Sequence, residues 1–154
     1  MTETSPDYDS FFRRYADAYE RSLGERVETD LIRSFFAEDF LSLSVKGGIV
    51  AGRNDERFAG MLVEAYAFYK AIGTKTMRID HVETASLYDG HDRVRVFYVA
   101  DYAKKDGSTA TISFDLVYLL QRRAGGPKIF AFIAGDEMDV YREHGLVGPD
   151  GQPL

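Results

Sequence analysis

Proton-transfer groups are the reactive side chains this sequence supplies, and few of them stand where a fold could gather them. There are ten tyrosines, three histidines and no cysteine. Proton transfer by such a set has a plain logic: a carboxylate orients an imidazole, the imidazole takes a proton, and a tyrosine hydroxyl polarises a carbonyl. His91 falls in an Asp-Gly turn and His144 near the C-terminus, so His81 is the one histidine placed inside a long strand. Tyr15 and Tyr19 lie four residues apart on one helix face. Asp136, Glu137 and Asp139 fall where they could rim an opening, and read as solvated acids. Without cysteine there is neither disulfide nor thiolate chemistry. Three scattered histidines give no metal-ligand spacing, so no metal and no cofactor is expected. No glycine-rich phosphate loop and no nucleophile elbow occurs.

The elements that must position these groups are legible from periodicity. Tyr8, Phe11, Phe12, Tyr15, Tyr19 and Leu23 recur at spacings of three and four and end at Gly24, which predicts a helix. Val27, Leu31, Ile32, Phe35 and Phe36 predict a second over roughly 26–37. Phe40–Val45 and Ile49–Ala51 flank Gly47-Gly48 as a hairpin. Asn54 reads as the N-cap of a third helix carrying Phe58, Met61, Leu62, Ala65, Phe68, Tyr69 and Ile72. From Thr76 to Asp136, glycine turns cut four strand segments. Three of them are about twice the usual strand length of ~5–6 residues, so they must bend and twist within one domain. The expectation is an α+β fold: a cone-like, curved, mostly antiparallel sheet of about six strands around three N-terminal helices, one domain over 1–154 with a flexible tail at 148–154.

Helix faces and strand parities aim Tyr15, Tyr19, Phe58, Leu62, Tyr98, Phe114 and Tyr118 at one interior, walls suited to a flat, weakly polar ligand. Segment 128–135 is apolar on both faces, and Val117 and Leu119 turn the outer face of the preceding strand apolar. Helices cover only the concave side, so a homodimer through the convex sheet face is expected. The net charge of −6 and a pI near 5.1 argue against nucleic acid. No apolar run approaches the ~20 residues of a membrane span. The acidic start MTETSPDYDS is not a signal peptide, and a cytoplasmic location suits the absence of cysteine.

Phe36-Ala37-Glu38-Asp39-Phe40, then Val50-Ala51-Gly52-Arg53, then a helix and four long strands resemble the nuclear transport factor 2-like superfamily. Within it the chain is similar to SnoaL-like proteins, over about Tyr8 to Leu146. The resemblance implies a ligand-binding cone. It offers steroid-isomerase chemistry little, because the catalytic carboxylates of those relatives fall at Ser44 and near Leu116. Dehydratase-like relatives keep a histidine early in the third strand, where this chain has His81. What this resemblance implies is His81 as general base, Tyr19 or Tyr15 holding a substrate carbonyl, and Asp101 orienting the imidazole. Two readings follow: a cone binding a small apolar or aromatic molecule, with lyase or isomerase chemistry of dehydratase or cyclase type, or a non-catalytic dimeric scaffold filled by its own aromatics.

Overall fold

The computed structural model describes residues 5–154. Helix α1 spans Tyr8–Ser22 and starts where the Asp7 side chain accepts the Ser10 N–H at 3.0 Å. Its apolar stripe buries Phe11, Phe12, Tyr15 and Ala18, as the spacing predicts. Helix α2 is only Thr29–Arg33, and strand β1 already begins at Phe36 and runs to Ser44. Helical periodicity extends this helix to residue 37, but the Ile129 N–H donates to the Phe35 carbonyl at 2.9 Å and draws the chain into a sheet. Long-range pairing overrides local pattern here.

Strand β2 (Ile49–Arg53) closes the hairpin, and helix α3 (Glu56–Ala71) follows. Asp55, not Asn54, caps α3, its carboxylate accepting the Arg57 N–H at 3.0 Å. Asn54 instead ties α2 to this corner, donating to the Arg33 carbonyl at 2.9 Å and accepting from the Arg33 guanidinium at 2.9 Å. On α3 the fully buried residue is Tyr66, while Met61 is exposed. Gly73 then turns the chain at φ +88°, where a Cβ would sit 2.0 Å from the Ala103 carbonyl oxygen. Only glycine fits.

Strands β3 (Thr74–Tyr88), β4 (His91–Ala103), β5 (Thr109–Gln121) and β6 (Lys128–Ala134) complete a six-stranded sheet of order β2-β1-β6-β5-β4-β3. All neighbours are antiparallel except β1 and β6, which run parallel. Helix α4 (Glu137–Glu143) follows β6, so the three helices expected at the front are joined by a fourth at the back. The fold is α+β, with a mostly antiparallel six-stranded sheet and four helices.

Two register shifts set which side chains face inward. One lies between Ile79 and His81, so Ile79 faces in and His81 faces out. The other, between Leu119 and Leu120, places Ile129 opposite Leu120 and Ile133 opposite Val117. Simple alternation in β6 is therefore broken at Phe130: Ile129 and Phe132 face in, and Ile133 faces out. At one end of the core the buried Asp92 accepts hydrogen bonds from Tyr8 at 2.6 Å and from Arg122 at 2.8 and 3.0 Å. Residues 148–154, expected to fray, fold back instead, with Val147 paired to Pro153 and Gly148 donating to Gln152 at 2.9 Å. Among the described residues no helix is long and apolar enough to cross a membrane.

Candidate functional site

Helices α1, α3 and α4 and the inner face of β3–β5 enclose a cavity of about 50 Å³. Helix α1 presents Tyr15 and Tyr19, with ring centroids 5.2 Å apart, and α3 presents Tyr69. Strand β4 contributes Tyr98 and Tyr102 at the same parity, and β5 contributes Phe114, Leu116 and Tyr118. Helix α4 closes the cavity with Glu137 and Tyr141, whose ring lies 6.2 Å from Tyr102. Lys46, from the β1–β2 turn, holds α4 down by an ion pair of 2.6 Å to Asp136. That contact and the Asp139 N–H lower the Asp136 carboxyl to about 2.

Seven tyrosines thus line one small space with a single ionisable carboxyl and no lysine, arginine or histidine. Tyr98 and Tyr118 share a hydrogen bond of 2.7 Å between their hydroxyls. Burial holds Tyr15, Tyr19, Tyr98 and Tyr118 well above the usual tyrosine value. Tyr69 is raised first by its neighbour Tyr19, and burial pushes Tyr102 up to about 12. The charge of Glu137 adds to the rise in each of these and in Tyr141. The hydroxyls therefore remain neutral donors at any physiological pH. The Glu137 carboxyl is itself raised, by burial and nothing else. Among the described residues no side chain pairs with it. The Thr74 hydroxyl also lines the cavity, is 8% exposed, and interacts with the Tyr102 hydroxyl.

Of the predicted lining residues, Tyr15, Tyr19, Tyr98, Phe114 and Tyr118 come together here. Phe58 and Leu62 do not. Phe58 packs on Phe40 and Phe36 at 4.8 and 5.2 Å, beneath the hairpin, and Leu62 is ordinary core. The catalytic trio is not assembled either. His81 lies on the outer face, stacked on Phe97 at 4.2 Å, with its Nδ1 2.6 Å from the Asp80 carboxylate and half its side chain exposed. Asp101 is bound by Thr76 at 2.7 Å, Arg78 at 2.7 Å and Thr111 at 2.8 Å, on that same face but four residues along β4 from Phe97. The bulge at Asp80 is the physical reason, because it turns His81 away from the cavity that holds Tyr19. Tyr102 was within reach of sequence reasoning, having the parity of Tyr98. Glu137 was not, since an acid in the first turn of a short helix carries no sign that it faces inward.

The family model of NTF2-like protein (DUF6841) matches residues 6–137. No curated protein sequence matches the chain. An NTF2-like protein with a cystatin-like fold from Novosphingobium aromaticivorans superposes with a TM-score of 0.64 at 11% identity, covering 84% of this chain and 79% of its own. Aln2 from a Streptomyces species gives 0.63 at 15% identity, over 92% and 99% of the two chains. A ketosteroid isomerase-like protein from Erwinia carotovora atroseptica gives 0.55 at 14%, over 82% and 91%. At these identities the likeness is one of fold.

Proposed function

The chain belongs to the DUF6841 family of NTF2-like proteins, and from its cavity we propose that it binds a small, mostly apolar or aromatic molecule bearing one polar group. The observation that carries this reading is the lining: seven tyrosines converge with Glu137 and the Thr74 hydroxyl. Aromatic walls with a few placed polar groups are the usual make-up of a small-molecule site. Glu137 is the lining carboxyl, raised by burial, so lyase or isomerase chemistry at this site would run through it rather than through His81.

The cavity volume favours the second reading. About 50 Å³ holds only a few waters, whereas typical ligand sites run to several hundred Å³. A non-catalytic module plugged by its own tyrosines would look the same. A fragment screen of phenols, cyclic enones and small aromatic amines, read by protein NMR, separates the two. The binding reading expects perturbations centred on Tyr69, Tyr102 and Glu137 that are lost in Phe114→Trp, which fills the space. Fragments that leave these resonances unmoved would establish the scaffold reading instead.

The outer face supports a second copy of the chain as partner. Ile49, Leu43, Ile133 and Val117 form one continuous apolar row across β2, β1, β6 and β5. Ile49 and Ile133 are exposed in it, and Leu41 is exposed two residues along β1 from Leu43. Such a row is costly in water and complements itself across a two-fold axis.

A further inference from the structure

The geometry points to a small protonated amine as the ligand of this cavity, with Glu137 as its counter-ion and the tyrosine rings as its cage. The inference rests on the binding reading above and narrows it to one charge class. An ionised carboxyl in an apolar, water-poor space is stable only beside a compensating cation. Every residue lining this one is neutral or apolar, from α1, α3, β3, β4, β5 and α4, and none is lysine, arginine or histidine. Lys46, which holds α4 down, is engaged by Asp136 at 2.6 Å and Asp139 at 3.7 Å. A cation to pair with Glu137 would therefore come from outside the lining.

The surrounding groups suit an ammonium better than a neutral molecule or an anion. Tyrosine rings attract a cation within about 6 Å of their centroids, and a box of such rings is the usual receptor for alkylammonium groups. Here the rings stand side by side around the space, Tyr15 and Tyr19 at 5.2 Å, Tyr19 and Tyr69 at 6.4 Å, Tyr102 and Tyr141 at 6.2 Å. The Thr74 oxygen, lining the same space, has lone pairs that accept an ammonium N–H. An anion would meet the carboxylate and the negative ring faces and be refused. A cavity of about 50 Å³ also favours a compact head group over a large apolar body. With an amine bound, Glu137 is ionised and serves as anchor, not as base.

Isothermal titration of the full chain near pH 6 tests this with matched probes: propylamine and benzylamine against propanol, benzyl alcohol and benzoate. The amines should bind at least about tenfold more tightly than the alcohols, the margin of a hydrogen bond to a charged group. Benzoate should not bind. Glu137→Gln should bring the amines down to the alcohols' affinity. Thr74→Val should weaken amines alone. Alcohols binding as tightly as amines would overturn the charge assignment and leave the cavity as a ligand site. Amine affinity unchanged in Glu137→Gln would place binding elsewhere and overturn it too. If no probe binds, the amine proposal and the binding reading fail together.

Discussion

Asp92 and Glu137 carry the same functional group in opposite surroundings, and their pH behaviour should differ in sign. Arg122 and Tyr8 donate to Asp92 and hold its carboxyl below the ordinary value. The unfolded chain therefore takes up a proton there first as pH falls. The stabilisation is complete above the unfolded value of ~3.9 and is lost as pH drops through the lower folded value. Asp92→Asn should cost about 3 kcal/mol at pH 7, because it leaves Arg122 facing a buried neutral group. In urea denaturation that cost should shrink as pH falls below the ordinary carboxylate value and through the lower folded one. A cost that stays constant as the pH is lowered through the acid range would contradict the assignment. For Glu137 the folded state holds its proton more tightly, so its contribution runs the other way. It is full below the ordinary carboxylate value and is lost as pH rises through the raised one.

Elements are placed here by junctions as much as by their own periodicity. The α3–β3 corner depends on Gly73, where positive φ coincides with a close approach to the Ala103 carbonyl, and the Ala103 N–H donates to the Gly73 carbonyl at 2.8 Å. Gly107, in the β4–β5 turn, has the same φ of +88° but open space around it. The pair separates conformational strain from collision. Gly107→Ala should cost about 1 kcal/mol, the penalty of left-handed backbone for a residue with a Cβ. Gly73→Ala should cost at least ~1 kcal/mol more, because the carbonyl must move and β3 with it. Since Thr74 and Met77 follow at once, Gly73→Ala should also disturb the cavity wall. Equal thermal shifts for the two variants would show that the corner yields freely.

At the scale of the whole molecule, the sheet has two working faces. The inner face carries the cavity and the outer face carries the apolar row through Ile49, Leu43, Ile133 and Val117. That row ends at Arg95, whose guanidinium lies 2.7 Å from Asp115 and stacks over Phe97 at 4.7 Å, so a polar rim borders an apolar patch. We expect the chain to sediment at micromolar concentration as a dimer, with Ile133→Glu or Leu41→Glu yielding monomer while the fold survives, since both side chains are exposed in the single chain. A wild-type species of only 17.4 kDa would refute the dimer.

Alternation and three-four spacing determine which residues have an apolar partner nearby in sequence. They located α1, the hairpin, α3 and the long strands, and they aimed Tyr15, Tyr19, Tyr98, Phe114 and Tyr118 at one interior. What they could not contain is pairing between distant segments. The parallel contact of β1 with β6 shortened α2, because the Phe35 carbonyl gains its partner, the Ile129 N–H, from the far end of the chain. A single extra residue at Asp80 reversed the face of His81, and a second shift in β6 sent Ile129 inward and Ile133 outward. Phe58 went to the hairpin because the sheet put Phe36 and Phe40 beneath it. Glu137 joined the lining last, since only the folded chain brings the start of α4 against tyrosines from α1, α3, β4 and β5. Local physics chose the walls; long-range pairing chose the carboxyl that joins them.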